Sequence, residues 1–182
     1  MPGLEDESFS RSVVYLCEHS ERGALGLIIN KPSKLSLQGL LEKVALGLKR
    51  EDLREAQVFT GGPVQTDRGF VLHEPMVIDG APENESAYAS TMTIPGGLEM
   101  TTSKDVLEAL SDGAGPKRVL VTLGYSSWDE GQLESEIGEN AWLTVEADPE
   151  VIFSTPVDER YDRALGLLGL QRWMLSPESG RA

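Results

Sequence analysis

Residues 118–123 read Arg-Val-Leu-Val-Thr-Leu, a short and almost continuously apolar run. A strand of that composition has no polar face to turn toward water, so it must occupy the middle of a sheet with material packed on both sides. Any fold for this chain therefore has to supply further strands as neighbours and helices as covering layers.

The neighbours are visible. Residues 12–18 and 24–30 are short, rich in β-branched and aromatic residues, and separated by Glu21, Arg22 and Gly23, which predicts a hairpin. Residues 57–60 and 68–73, joined through Gly61, Gly62 and Pro63, predict a second one. Strands are expected at 88–94 and 98–101 around Pro95, Gly96 and Gly97, at 141–146, and briefly at 76–78 within an otherwise irregular 74–90.

Helical spacing sets in after Ser36, where Leu37, Leu40, Leu41, Val44, Ala45 and Leu48 recur at i, i+3, i+4 and i+7. Thr102, with Asp105 three residues on, is expected to cap a helix over 103–111 that Gly113 ends. Ser127 and Glu130 have the spacing to open a helix over 128–137, and Asp148 a short helical turn. Thr155 and Pro156 precede a last helix whose buried face is Val157, Tyr161, Ala164, Leu165 and Leu168. Strands cluster rather than alternate with helices. The expectation is an α+β fold, with largely antiparallel sheet and several flanking helices, in a single compact domain over 1–175 with a loose tail at 176–182.

The chain has 182 residues and a formal net charge of −14. Nonspecific nucleic-acid affinity rests on cations that displace phosphate counterions, so direct DNA binding is disfavoured. The sole basic cluster of note, Lys31, Lys34, Lys43, Lys49, Arg50 and Arg54, is interleaved with Glu42, Glu51, Asp52 and Glu55. Between Asp129 and Glu150 lie eight acidic residues and no Lys or Arg, which supplies −8 of the −14. That stretch reads first as a solvated acidic face, with docking onto a basic protein partner as the sharper alternative. The single cysteine, Cys17, and the lack of an early signal-like apolar run predict a cytoplasmic protein. No apolar stretch approaches the roughly 20 residues needed to span a bilayer.

Four blocks together resemble one family. They are residues 11–19 (Arg-Ser-Val-Val-Tyr-Leu-Cys-Glu-His) with 23–32; Gly61-Gly-Pro-Val64 with 68–73; residues 102–107; and Gly124 and Tyr125 with Trp128, 131–134 and 140–142. In order and spacing they are similar to the AlgH/YqgE family of bacterial proteins, over almost the whole chain. The resemblance implies a cytosolic protein with a complex α+β fold, no established enzymatic activity, and a regulator's name without a recognised DNA-binding motif. Family members usually begin with a further apolar segment before the Met-Pro that here is Met1-Pro2, so a missing edge strand or a displaced start is expected. Ser126-Ser127 stands where Ala-Gly is usual, and Gly180-Arg181-Ala182 where Gly-His-Ala is common.

Candidate sites follow from residue chemistry. Cys17 and His19, two apart on a strand, would share a face, and pairing of the hairpins would bring His73 near. A thiol beside an imidazole has the elements of a nucleophile, against the plainer reading of a core cysteine. The Cys-x-His spacing matches no structural zinc signature, and neither a metal nor a cofactor is expected. Gly61 and Gly62 offer backbone amides to an anion but fit a turn better. Tyr125, Ser127, Trp128 and Gln132 would line a ligand pocket if residues 124–128 form a strand-to-helix loop. Ser126 resembles a nucleophile elbow only superficially, since G-x-S-x-G would require Gly where Trp128 stands, and Asn30 and Asn140 suit turns. The leading expectation is a non-enzymatic regulatory or binding protein with a small ligand or protein partner. The alternative is a thiol-dependent or hydrolytic enzyme using Cys17 with His19 or His73, and direct DNA binding is third.

Overall fold

The computed structural model describes residues 9–76 and 85–175. Met1-Pro2, most of the strand expected at 76–78 and the tail over 176–182 lie outside the described residues. Eight strands run in chain order as β1 (Val14–Ser20), β2 (Gly23–Ile28), β3 (Pro32–Ser36), β4 (Gln57–Thr60), β5 (Val64–His73), β6 (Thr91–Ile94), β7 (Leu98–Thr101) and β8 (Val119–Trp128). The helices are α1 (Leu37–Lys43), α2 (Asp105–Ser111), α3 (Gln132–Gly138) and α4 (Arg160–Leu167).

Residues 119–123 of the apolar run lie in β8, which is central as its composition requires. Along the sheet the order is β1-β2-β8-β5-β7-β6, with β3 pairing β4 and β4 also pairing β8. Every pairing is antiparallel except β4 with β8. Leu120 of β8 joins Cys17, Leu27, Phe59 and Phe70, whereas Val121 and Leu123 meet Leu37 and Leu41 of α1 and Val106 and Leu110 of α2; past Gly124, with its φ of 75°, Tyr125 returns to the first layer. The fold is thus α+β with a mostly antiparallel sheet in one domain.

The first hairpin forms as expected, β1 with β2, and the strands expected around Pro95, Gly96 and Gly97 pair as β6 with β7, β6 starting at Thr91 rather than 88. The second does not. β4 and β5 flank opposite edges of β8, with Val58 opposite Val121 on one side and Val71 opposite Val121 on the other. The connecting Gly61-Gly62-Pro63 therefore crosses over β8 instead of turning beside it. A central strand that comes late in the sequence has inserted between two strands that look like sequence neighbours.

Several ends differ too. Ser36 caps α1 by accepting from Gly39 N at 3.1 Å, but the helix stops at Lys43, and Ala45 takes a positive φ of 61°, so Val44, Ala45 and Leu48 lie beyond it. Asp105 replaces Thr102 at the start of α2, its Oδ1 accepting from Val106 N at 2.9 Å and its Oδ2 from Ala89 N at 2.7 Å. Residues 124–128 continue β8 rather than forming a loop, and α3 begins after Gly131 with a φ of 71°, leaving no Ser127–Glu130 capping box. Residues 141–146 form no strand. Asp148 does open a helical turn, its Oδ1 accepting from Glu150 N at 2.9 Å. Thr155 closes that turn by donating to Glu150 O at 2.9 Å and caps nothing after it. Buried Arg160 pins α4 to the sheet: its guanidinium donates to Ile29 O and to Thr155 O and lies 5.0 Å from the Phe59 ring centre. Desolvation lowers its pKa to about 10.

Candidate functional site

One extra residue in β1 decides which side chains face the site. Leu16 pairs Gly26 but Glu18 pairs Leu25, so Cys17 sits in a bulge. Before the bulge Val14 and Leu16 face outward toward α3; after it His19, opposite Ala24, faces the same way, although spacing alone would have paired it with Cys17. Cys17 instead enters the interior beside Leu27 and Phe59.

The outward face of β1 floors a groove of about 560 Å³. Leu133 and Ile137 of α3, the irregular residues 142–148, Tyr161 and Leu165 of α4, and Leu168 just past its end make its walls, with Trp128 beneath. The size is that of a ligand site, in the range of about 300–1,000 Å³. Trp128 is buried, and its ring meets Trp142 edge-on at 5.6 Å; Phe9 stands 5.9 Å from Trp142. Glu136 orients both indoles, its Oε2 accepting from Trp128 Nε1 at 3.0 Å and from Trp142 Nε1 at 2.7 Å. Gln132 steadies that carboxylate by donating to Oε1 at 2.8 Å and itself accepts from Asp129 N at 3.0 Å.

The rim carries both apolar surface and negative charge. Leu143 is 40% exposed, Val145 41%, and Leu167 and Leu168 are open on the opposite bank. No Lys or Arg lines the groove among the described residues, whereas Glu146 and Asp148 do. His19 Nε2 bonds Glu134 Oε1, and that hydrogen bond holds the Glu134 carboxyl below its ordinary pKa.

The structure does not bring Cys17, His19 and His73 together. Cys17 is 1% exposed, its thiol points to Tyr15 O at 3.5 Å, and desolvation raises its pKa to about 12. His19 stands on the other side of β1 at the groove. His73 is fully buried on the α1/α2 side, with Nδ1 2.9 Å from Glu74 O, Nε2 2.8 Å from Thr101 Oγ1, and Tyr88 edge-on at 5.7 Å. Nor do Tyr125 and Trp128 converge: they face opposite sides of β8, and Tyr125 packs edge-on to Phe70 at 5.4 Å. Ser127 is exposed beside a smaller cavity near Arg22. Gln132 serves Glu136. Gly61 and Gly62 are occupied by the crossing, where Gly61 N donates to Leu123 O at 2.8 Å and Gly61 O accepts from Ile28 N at 2.9 Å. Asn30 braces backbone, accepting from Val13 N at 2.7 Å and donating to Arg11 O at 2.8 Å.

Of the sequence candidates, only His19 and Trp128 line the groove. The lining residues Trp142, Leu143, Val145 and Leu168 were missed. Their signal was present as three large apolar residues, Trp142, Leu143 and Val145, inside the most acidic stretch of the chain, but it was absorbed into an expected strand.

The buried thiol makes a prediction. An acid with a folded pKa above its unfolded one contributes fully below the unfolded value, here the ordinary 9.0, and loses that contribution as pH rises toward about 12. Stability should fall above pH 9, by up to about 1.4 kcal/mol per pH unit, with Tyr15, also raised to about 12, adding to the loss. Urea midpoints between pH 7 and 10.5 should show this decline, and Cys17→Ala should make it shallower. An unchanged slope in the variant would mean the thiol titrates normally.

Among the described residues, no group of three His, Cys, Asp or Glu side chains is placed to hold a metal ion. No helix among them is long and apolar enough to cross a membrane.

A family model described as AlgH-like matches residues 1–173. A UPF0301 protein of Delftia acidovorans is 85% identical over 182 residues, all of this chain and 92% of its own length, and one of an Acidovorax species is 78% identical over the same shares. The solution structure of the AlgH protein from Pseudomonas aeruginosa superposes with a TM-score of 0.75 at 44% identity, over 100% of this chain and 92% of that one. The protein DIP2367 from Corynebacterium diphtheriae, at 19% identity and a TM-score of 0.68 over 90% and 81% of the two chains, shares the fold. The match over residues 1–173 and a relative 85% identical along all 182 residues show that the chain belongs to the AlgH-like family.

Proposed function

We propose that the protein acts by capture rather than by turnover, as a non-enzymatic, cytoplasmic binding protein whose site is the apolar groove beside Trp128 and Trp142, with regulation as the downstream effect. The observation that carries this reading is the groove itself: a concave apolar surface with ordered aromatic rings, held open by the Glu136 bridge. Support comes also from the chemistry around the alternative. The Cys17 thiol is buried, held protonated at neutral pH, and bonded to neither imidazole among the described residues. Against the DNA-binding alternative, Lys49, Arg50 and Arg54 are paired with Asp112, Asp52 and Glu51.

The neutral dye Nile red tests the site. It should bind the native protein with a rise in emission, and Leu143→Glu or Val145→Glu should weaken binding at least about tenfold, since each sets an unpaired charge on apolar surface. Equal binding to wild type and both variants would remove the groove as the site. An ester hydrolysis lost on Cys17→Ala would replace capture with catalysis.

A further inference from the structure

We propose that the occupant of this groove is a basic amphipathic helical segment of a protein partner; the inference rests on the groove being the binding site. Two properties of the same surface carry it. The floor and banks are apolar and aromatic, which suits side chains recurring at i, i+3, i+4 and i+7 on one face of a helix. The wall formed by α3 and residues 142–150 supplies the charge.

Of the eight carboxylates between 129 and 150, Glu134 bonds His19, Glu136 the two indoles and Glu150 Arg118, while Glu139 and Asp148 accept only from uncharged donors, Ser135 Oγ and Glu150 N. Among the described residues, no Lys or Arg lies within ion-pair distance of Asp129, Glu130, Glu139, Glu146 or Asp148. Glu146 and Asp148 line the groove, with Glu130 and Glu139 flanking α3, and an incoming cation relieves the repulsion among these like charges. A helix with leucines inward and lysines outward meets both requirements at once.

The same charge argues against other occupants. A second copy would bring the same acidic wall, and its Lys49, Arg50 and Arg54 already have partners. An anionic lipid surface would be repelled.

The test uses the intact protein and three synthetic peptides of about 18 residues, long enough for several helical turns. One has the leucine face and lysines, one the same face with glutamates, and one the lysine composition with scrambled order. Binding is read by anisotropy of a labelled peptide, with Nile red run in parallel. The ordered lysine peptide should bind, weaken at least about tenfold on raising salt from about 0.05 to 0.5 M, and weaken at least about tenfold against Glu130→Lys/Glu139→Lys, two positions beside α3 that do not line the groove. Nile red binding should be unaffected in that variant. Equal affinity for the glutamate or scrambled peptide would overturn the inference. Nile red binding with no peptide binding would overturn the occupant and leave the groove standing, while failure of both would remove the groove as well. Self-association abolished by Leu143→Glu, or binding to phosphatidylglycerol vesicles, would assign the groove to a second copy or to lipid and likewise overturn it.

Discussion

Gly62→Ala is expected to remove most of the folding stability, on the order of 4 kcal/mol or more against a typical total of about 5–15. Gly62 lies where the chain steps over β8 from one edge to the other, with a φ of 155°. A Cβ there would overlap the carbonyl of Tyr125 and the amide nitrogen of Ser126. Both are backbone atoms of the central strand, and that strand is held by β2 and β4 on one edge and β5 on the other, so it cannot yield locally. Gly124 approaches from the other side, its own virtual Cβ 2.6 Å from Gly62 O, which closes the remaining direction of relief. Gly69→Ala is the control: it sits in β5 with nothing within 4 Å of the added carbon and should shift stability by less than about 1 kcal/mol. Urea unfolding followed by circular dichroism measures both. A Gly62→Ala protein as stable as the Gly69→Ala one would mean the two strands are not in contact at the crossing.

The crossing also marks how far the sequence could be read. The composition of 118–123 was enough to place β8 at the centre, because absence of a polar face is a local property. The pairing partners of β4 and β5 were not legible, since the strand that separates them lies about fifty residues later and Gly61-Gly62-Pro63 is equally good turn chemistry. Family resemblance named the fold without saying which glycines carry the crossing. Register is similarly hidden: the bulge at Cys17 sends the thiol inward and His19 outward, and nothing in Tyr-Leu-Cys-Glu-His distinguishes a bulged strand from a regular one. That single residue dissolves the thiol and imidazole pair on which the enzyme alternative stood.

The acidic stretch was legible as charge but not as a wall. Its apolar members alternate well enough to suggest a strand at 141–146, yet the segment packs through side chains beside the outward face of β1, with Trp142 against Trp128 and Phe9, and joins no ladder. The segment is therefore anchored through side chains. Among the described residues, none of the amides of 142–147 donates a backbone hydrogen bond.

Such anchoring makes Trp142 decisive for both structure and capture. Its indole contacts Trp128 and Phe9 and donates to Glu136, and together these are the ties that hold 142–148 against the body of the protein. Trp142→Ala removes all three, and truncation of a large aromatic should cost about 3 kcal/mol. With the wall released, Nile red binding should weaken by more than about tenfold while the far-ultraviolet circular dichroism stays native, because the segment contributes no regular backbone structure. Trp142→Phe keeps the ring contacts but loses the hydrogen bond, at about 0.5–1.5 kcal/mol, and should bind nearly as well as wild type. This order, Phe close to wild type and Ala far below it, separates ring packing from the carboxylate bridge as the element that shapes the groove. If Phe fails as badly as Ala, the Glu136 bridge is the dominant tie; if Ala binds like wild type, residues 142–148 are no part of the site.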